Sequence, residues 1–250
     1  MDFSNQIAVV TGAAQGIGAA VAQQLLNYGA QVVVLDQKVD AEHYTSVPRV
    51  HAFKVDVANR GQVQEVIDVV EREIGEITML VNVAGVLSLN HILDATEEEW
   101  DHAFSVNVKG VFNVSQAIAQ YMSTRRKGSI VTVASNASDT PRVGMGVYAA
   151  SKAASTHLIR CLGLELAALG IRCNVVSPGS TDTPMQHQLW LTQEHKDAVL
   201  QGSLEQHRLG IPLGRIAVAD DVANAVCFLL SDQARHITMH DLRVDGGATF

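Results

Sequence analysis

Short apolar runs rich in β-branched residues recur along the chain, separated by longer stretches with a different periodicity. Each run is nearly continuous rather than alternating, which is typical of strands buried on both faces of a parallel sheet. The runs predict strands at residues 7–11, 31–35, 50–55, 79–83, 129–134 and 171–176, and a shorter run predicts a last strand at 241–244.

The stretches between these runs place apolar residues three or four positions apart, as amphipathic helices do. They predict helices at residues 17–28, 61–74, 97–121, 148–169 and 220–230. Strands that alternate with helices in this way build a doubly wound parallel sheet with helices on both sides. No linker, repeat or low-complexity segment divides the chain. We therefore expect one three-layer α/β domain of the Rossmann type over residues 1–250.

Residues 184–212 interrupt this alternation of strands and helices. We predict that this segment is a small lid insertion over the substrate, because long insertions between elements are often active-site lids. The alternative is a surface excursion or a contact between subunits.

The composition excludes several classes of function. Hydrophobic residues make up 47% of the 250 residues, which is ample for a core. No apolar run approaches the roughly 20 residues that cross a bilayer. The formal net charge of −8 disfavours binding to nucleic-acid backbones. The start of the chain lacks the features of a signal peptide, and the three cysteines lack disulfide-framework or zinc spacing. We expect a cytoplasmic protein that binds neither nucleic acid nor membranes.

The first predicted strand runs into a glycine-rich turn that contains Gly12, Gly16 and Gly18. Glycines at this point allow a tight turn and a close approach of the backbone to a pyrophosphate, which then lies at the helix N-terminus. The strand before the turn and the helix after it supply the context that a lone glycine motif lacks. The turn predicts a dinucleotide site, and a glycine-rich turn without a ligand is the alternative.

The end of the second predicted strand favours NAD over NADP. Asp36 stands where a carboxylate accepts hydrogen bonds from the adenosine ribose and repels a 2′-phosphate. Gln37 follows it rather than an arginine. Further contacts with the dinucleotide are expected where the third and fourth strands end, at Asp56, Val57, Asn82, Ala84 and Gly85.

Tyr148 and Lys152 are the candidate catalytic pair, and Ser135 lies upstream of them. Residues i and i+4 of a helix share one face, so the phenol and the ammonium are expected to point the same way. A cation about 4 Å away at an effective dielectric of about 20 is worth roughly 4 kcal/mol, or about 3 pKa units. That shift would bring a tyrosine near working pH. The spacing alone is common, and a half-buried tyrosine with a solvated lysine is the ordinary alternative.

Taken together and in order, these residues resemble the short-chain dehydrogenase/reductase family. The resemblance extends from residue 7 to residue 247. One departure is Val83, where many members have a second asparagine. The strings that carry the resemblance are TGAAQGIG (11–18), NVAG (82–85), NVKG (107–110), YAASK (148–152) and PGSTDT (178–183), together with Asp56 and Ser135.

The resemblance implies a role for each of these residues in alcohol oxidation. Tyr148 would take the hydroxyl proton, and Lys152 would hold the nicotinamide ribose and lower the tyrosine pKa. Ser135 would orient the substrate oxygen, and Asn107 would hold a water on a proton route. Members are commonly tetrameric, so we expect a homotetramer. The remaining dinucleotide contacts implied are Gly12, Gln15, Gly16, Ile17, Gly18, Tyr148, Lys152, Pro178, Gly179, Thr181 and Thr183.

Longer strings, such as residues 131–154, are similar to a branch of the family that oxidises a carboxylated cyclic dihydrodiol in catechol siderophore biosynthesis. This resemblance implies a small anionic dihydrodiol as substrate. A buried carboxylate favours a bidentate arginine, so Arg142 is predicted to bind it, with a surface ion pair as the alternative. Met185, Gln186 and Trp190 are predicted to close over the ring, with core packing as the alternative.

Two other functions remain open at this point. One is another oxidoreductase of the family, acting on a 3-oxoacyl or sugar-alcohol substrate, although few basic residues are present for an acyl carrier to meet. The other is a dinucleotide-binding subunit without turnover, which would be expected to have lost the tyrosine–lysine pair. No metal is predicted, because the histidines match no ligand spacing.

Overall fold

A seven-stranded parallel sheet forms the centre of the computed structural model, which describes residues 1–39, 47–189 and 193–249, with the backbone alone for 193–196. The strand order is β7-β6-β5-β4-β1-β2-β3, so the order reverses between β1 and β4. The predicted doubly wound α/β fold is confirmed. The strands are β1 (Ile7–Thr11), β2 (Gln31–Asp36), β3 (Val50–Lys54), β4 (Ile77–Asn82), β5 (Gly128–Val133), β6 (Ile171–Pro178) and β7 (Asp241–Val244).

The strands are apolar at successive positions because both faces of the sheet are covered. In β1, Ala8 and Val10 face one hydrophobic core, while Ile7 and Val9 face the other. Val9 pairs with Val33 of β2 on one side and with Leu80 of β4 on the other. Strands whose alternate residues enter two different cores read as unbroken apolar runs, which is why the sequence located them.

Helices form the two outer layers. The helices are α1 (Gly16–Asn27), α2 (Arg60–Val69), α3 (Glu97–Phe104), α4 (Val111–Arg125), α5 (Gly146–Ala167), α6 (Pro184–His187), α7 (Gln193–Gln201) and α8 (Ala219–Leu230). Residues of α1 and α8 join one core, and residues of α2, α4 and α5 join the other. In the part of the chain that the structure describes, no helix is both long enough and apolar enough to cross a bilayer.

The helix predicted at residues 97–121 differs from the observed one. The observed helical stretch begins at Glu97, after the N-cap Thr96, which forms a capping box with Glu99, and it ends at Arg125. A π-helical turn, Ser105–Gly110, separates α3 from α4. One extra residue in a helical turn leaves the apolar pattern on either side almost unchanged, so the sequence read as one helix. The π turn carries Asn107, and such turns are frequent at functional sites.

The segment 184–212 contains α6, α7 and a small antiparallel hairpin. In the hairpin, Gly202–Ser203 pairs with Arg208–Leu209. At its base, Thr181–Asp182 pairs in parallel with Ala217–Val218, so the two ends of the excursion lie close together. The hairpin can therefore place a side chain from residue 208 next to the end of β6.

Candidate active site

A cleft of about 780 Å³ opens at the carboxyl ends of the strands. It lies where the strand order reverses between β1 and β4, which is where open α/β sheets bind ligands. The loops that follow β1 to β6 contribute to its lining, and so does the segment 184–212.

The glycine turn after β1 is too crowded for side chains at two positions. A Cβ on Gly12 would lie 2.7 Å from the Cα of Ala84, and a Cβ on Gly18 would lie 2.2 Å from the carbonyl oxygen of Gly12. Gly12 and Gly16 also have positive φ angles of 66° and 58°. Glycine is therefore required here to let the chain turn sharply and to leave a backbone cradle beside β4.

The first turn of α1 has backbone N–H groups available for a ligand. Gln15 precedes the helix but makes no side-chain cap, and no acidic residue lies in the first turn. Gln15, Gly16 and Ile17 line the cleft. A helix start of this kind binds phosphate groups, because its N–H donors and its dipole both attract an anion.

Asp36 at the end of β2 is fixed by two backbone hydrogen bonds. Its Oδ2 accepts from the Ala14 N–H at 3.0 Å, and its Oδ1 accepts from the Lys38 N–H at 2.8 Å. Each carboxylate oxygen retains a lone pair for a further donor. Asp36 lines the cleft together with Gln37 and Lys38, so a cation that the sequence interpretation overlooked stands beside the carboxylate.

The residues predicted at the ends of β3 and β4 divide into two groups. Val57, Ala84 and Gly85 line the cleft. Asp56 and Asn82 do not belong to its lining. The Asp56 carboxylate accepts from the Ala58 N–H at 2.9 Å, as a turn residue does.

Asn82 is a buried amide within the sheet. Its Nδ2 donates to the hydroxyl oxygens of Ser115 at 2.9 Å and Thr132 at 3.1 Å. Thr11, which the sequence interpretation did not single out by itself, accepts the N–H groups of Val83 and Ala84 at 3.0 and 3.1 Å. Its hydroxyl thereby joins the ends of β1 and β4 beneath the cleft.

The loop after β6 forms another side of the cleft. Pro178, Gly179, Thr181 and Thr183 all line it. A Cβ on Gly179 would lie 2.6 Å from the Cβ of Asp245, so only glycine fits. The Thr183 hydroxyl caps α6 by accepting the Gln186 N–H at 3.4 Å.

Tyr148 and Ser135 meet in the cleft, although they come from different elements. Tyr148 lies in the first turns of α5, and Ser135 follows β5. Burial raises the pKa of the Tyr148 phenol above its usual value of 10, and a hydrogen bond with Ser135 acts in the opposite direction. The phenol is therefore protonated at neutral pH in this arrangement and has one hydroxyl partner that favours its anion.

Lys152 shares the buried face of α5 with Tyr148, as the spacing predicted. Its Nζ donates to the Val133 carbonyl at 3.0 Å and lies 5.9 Å from the centre of the Tyr148 ring. Burial lowers the pKa of Lys152 to about 8. The expected lowering of the tyrosine pKa by this lysine is not found here, because the ammonium is directed to a carbonyl at the end of β5 and desolvation of the phenol dominates.

Asn107 connects three elements around the lysine. Its Nδ2 donates to the Val86 carbonyl at 3.0 Å and to the Ser151 hydroxyl at 2.9 Å, and its Oδ1 accepts the Val86 N–H at 2.8 Å. A Cβ on Gly85 would meet Asn107 Oδ1 at 3.2 Å and Lys152 Nζ at 3.3 Å. Gly85 therefore keeps open the space between the amide oxygen and the ammonium.

The predicted substrate residues Arg142, Met185 and Gln186 line the cleft. The Nε2 of Gln186 is buried and has no acceptor among the described residues, so a polar donor is available for a ligand. Burial lowers the pKa of the Arg142 guanidinium, with a smaller opposing effect of Asp245. Trp190 lies outside the described residues.

A family of sequences matches almost the whole chain: the model described as enoyl-(acyl carrier protein) reductase covers residues 12–249. The chain belongs to the short-chain dehydrogenase/reductase family. As a member of this family of oxidoreductases with a Rossmann-type sheet, it uses a nicotinamide dinucleotide. The glycine cradle and the uncapped start of α1 fit such a group.

Two full-length relatives of this short-chain dehydrogenase/reductase have the same name. The 2,3-dihydro-2,3-dihydroxybenzoate dehydrogenase of Bacillus subtilis (strain 168) is 50% identical over 253 residues, with 99% of this chain and 97% of the relative covered. The enzyme of that name from Escherichia coli (strain K12) is 46% identical, with 100% and 99% covered. The crystal structure of gox2181 superposes with a TM-score of 0.90 at 30% identity, covering 98% of this chain and 96% of that chain.

Arg208 is a second cationic cleft residue, after Lys38, that sequence reasoning missed in this short-chain dehydrogenase/reductase. It lines the cleft from the hairpin, and its Nη2 donates to the Ser180 hydroxyl at 3.1 Å. Burial lowers its pKa, and the charge of Arg142 lowers it further. The local sequence QHRLG gives no signal for this position, since only the folded hairpin brings Arg208 to the end of β6.

Proposed function

We propose that this protein oxidises 2,3-dihydro-2,3-dihydroxybenzoate to 2,3-dihydroxybenzoate, with NAD as cofactor, in catechol siderophore biosynthesis. The observation that carries the proposal is the meeting of Ser135, Tyr148 and Lys152 in a cleft that Arg142 also lines. Those groups suit the oxidation of an alcohol that bears a carboxylate. The names of the two relatives support this choice of substrate.

The preference for NAD rests on Asp36. Its carboxylate would accept the ribose hydroxyls through the lone pairs left free by the Ala14 and Lys38 N–H groups. A 2′-phosphate would meet this negative charge at close range. The neighbouring Lys38 side chain is exposed, so solvent screens its attraction for a phosphate. The pyrophosphate would lie on the start of α1, at Gln15, Gly16 and Ile17.

Tyr148 is proposed as the group that removes the substrate hydroxyl proton. As the O–H bond breaks, the proton goes to the phenolate oxygen, a C=O bond forms, and the hydrogen on the carbinol carbon leaves with its electron pair. The bound nicotinamide supplies the acceptor for that hydride. Ser135, which lies close enough to the phenol to favour its anion, would hold the substrate oxygen in line with it.

The raised pKa of Tyr148 means that the phenol needs positive charge nearby to ionise. Lys152 does not lower that pKa while its ammonium donates to the Val133 carbonyl. The oxidised nicotinamide ring, itself a cation, would supply that charge when bound. The proton would then leave by way of the space beside Gly85, between Lys152 and the amide oxygen of Asn107.

The first product, a ring ketone, would become a catechol by tautomerisation, in which the adjacent ring carbon loses a proton and the ketone oxygen gains one. Aromatisation makes the overall oxidation effectively one-way. The segment 184–212 would act as the lid, since it contributes Met185 and Gln186 to the cleft. The Nε2 of Gln186, which has no acceptor among the described residues, would donate to a substrate oxygen.

We further propose a homotetramer built on α3, α4 and α5. Trp100, which stacks on Phe104 with ring centres 4.2 Å apart, is 46% exposed, and Leu164 of α5 is 69% exposed. Large apolar side chains exposed on neighbouring helices suit a helix-bundle interface between copies of the chain.

A turnover assay tests the proposed function. The purified protein is given the dihydrodiol with NAD and, in parallel, with NADP, and the catechol product is followed by its absorbance. We expect turnover with NAD and at least about tenfold lower kcat/KM with NADP, which corresponds to about 1.4 kcal/mol. Turnover of a 3-oxoacyl substrate in place of the dihydrodiol would overturn the proposal.

A further inference from the structure

Two arginines line the same cleft from segments that are far apart in the sequence. Arg142 belongs to the connection between β5 and α5, and Arg208 belongs to the hairpin of the segment 184–212. Both line the same cleft. Their charges act on each other, since Arg142 makes it harder for Arg208 to carry its proton.

Neither guanidinium forms an ion pair with an acid of the ranges 1–39, 47–189 and 197–249. Among the described residues, no carboxylate lies within 4.0 Å of Arg142 or Arg208. Asp245 is the acid that acts on Arg142, but its carboxylate accepts from Thr249 at 2.6 Å and from Asn136 at 3.2 Å. Two partly buried like charges to which the described residues offer no counter-ion are unfavourable, and an anionic ligand would relieve that cost.

Among the residues that the structure describes, Ser180 is the one hydrogen-bond acceptor for Arg208. One guanidinium nitrogen donates to the neutral hydroxyl of Ser180, which fixes the plane of the group without neutralising its charge. Guanidinium groups have five N–H donors in a fixed fork, and two such groups can grip both oxygens of one carboxylate. A compact, planar anion at this point would satisfy both arginines at once.

We propose that Arg208 is a specificity-determining residue, which together with Arg142 binds the carboxylate of the substrate. This inference rests on the proposed function, because it assigns the carboxylate of that dihydrodiol to a particular pair of side chains. The substrate carboxylate would then bridge two segments, the connection before α5 and the hairpin of the segment 184–212. A dihydrodiol without the carboxylate would leave both cations unpaired in the cleft and would be a poor substrate.

The test compares Arg208→Gln with the wild-type protein on two substrates, the carboxylated dihydrodiol and the matching dihydrodiol that lacks the carboxylate. Arg235→Gln is the matched control, because it removes the same charge from an exposed residue that lies outside the cleft. We expect Arg208→Gln to lower kcat/KM for the carboxylated substrate by about 10- to 100-fold, mainly through KM. Turnover of the uncharged substrate should change less than about threefold, and Arg235→Gln should change neither.

The second variant, Arg208→Lys, keeps the charge but loses the fork. It should give an intermediate KM for the carboxylated substrate, and it provides the same comparison if Arg208→Gln does not fold. Affinity for the dinucleotide, measured by titration, should be the same in all variants. A raised dinucleotide dissociation constant in Arg208→Gln, with unchanged discrimination between the two substrates, would show that Arg208 binds a cofactor phosphate and would overturn the inference.

The remaining outcomes separate this inference from the proposed function. If the wild-type protein oxidises the carboxylated dihydrodiol and Arg208→Gln does so equally well, the inference fails and the proposed function stands. If the wild-type protein oxidises neither dihydrodiol, the proposed function fails and takes the inference with it.

Discussion

Lys152 lies 5.9 Å from the centre of the Tyr148 ring, yet its ammonium donates to the Val133 carbonyl rather than to the phenol. The two side chains share one face of α5, and both are buried. Burial acts on them in opposite senses, since it raises the pKa of the tyrosine and lowers that of the lysine to about 8. Both shifts favour the uncharged forms of the two side chains. Ionisation of Tyr148 therefore depends on further positive charge and on Ser135.

Tyr148→Phe should remove turnover while leaving the fold intact. The change deletes only the hydroxyl that accepts the proton, and general base catalysis contributes about 10²- to 10⁴-fold to a rate. We expect kcat to fall by at least that factor, with dinucleotide affinity unchanged in a titration. Tyr28→Phe, on a tyrosine that packs on Phe3 away from the cleft, is the control. Full activity in Tyr148→Phe would point to a subunit whose tyrosine has no chemical role.

Ser135→Ala should move the pH dependence of the oxidation. The Ser135 hydrogen bond is the interaction that lowers the pKa of Tyr148 against burial, so its loss raises that pKa further. The rising limb of kcat against pH should therefore shift to higher pH. The profile is measured from pH 6 to pH 10, with Ser123→Ala on α4 as the control. An unshifted limb with a lower plateau would mean that Ser135 acts on the substrate alone.

Lys152→Met should change how stability depends on pH. An unfolded lysine titrates near 10.5, whereas Lys152 titrates near 8 in the folded protein. Between these values the unfolded chain binds the extra proton, so the wild-type protein gains stability as pH rises from about 8 to about 10.5. Below pH 8 the full cost of burying the ammonium is present.

The quantity to measure is the free energy of unfolding of wild type minus that of Lys152→Met, from urea titrations at pH 7 and pH 10.5. It should rise between those two pH values by an amount on the order of 2–3 kcal/mol. A difference that is constant with pH would show that Lys152 titrates normally. The variant should be inactive at both pH values.

Asp36→Asn should shift cofactor preference toward NADP. The amide keeps the size of the side chain and one oxygen for the backbone, but it no longer repels a 2′-phosphate, and the exposed Lys38 stands nearby. The ratio of kcat/KM for NAD to that for NADP should fall at least about tenfold, or about 1.4 kcal/mol. Asp101→Asn, on an exposed residue of α3, controls for the change in net charge.

Leu164→Glu should disrupt the proposed tetramer. A charge placed in an apolar interface between helices would have to be buried without a partner in every copy. Light scattering should show dimers or monomers for Leu164→Glu and tetramers for the wild type. Leu204→Glu, on a leucine of the hairpin turn that is 97% exposed, is the matched control. A wild-type protein that is monomeric would contradict the proposal directly.

The sequence predicted the sheet well because strands buried on both faces of a parallel sheet consist of nearly continuous apolar residues. All seven predicted strands belong to the central sheet, with ends displaced by two residues or fewer. The π turn at Ser105–Gly110 escaped notice, since a single widened turn hardly changes the apolar period. Its position around Asn107 became visible only in three dimensions.

The site was predicted less evenly than the fold. Helical spacing placed Tyr148 and Lys152 on one face but said nothing about which acceptor the flexible lysine would choose. Strand ends placed Asn82 near the cleft, yet its amide turns into the sheet toward Ser115 and Thr132. Arg208 could not be found, because a two-residue hairpin strand carries no periodic signal and its partner Arg142 is remote in sequence.

The hydroxyl of Thr11 holds the ends of β1 and β4 together, because it accepts the N–H groups of Val83 and Ala84, which follow β4. The backbone cradle proposed for the dinucleotide therefore belongs to the central sheet, whereas Arg142 and Arg208 belong to connections outside that sheet. Substitutions in these connections can therefore change which substrate is bound while the cofactor-binding framework stays the same.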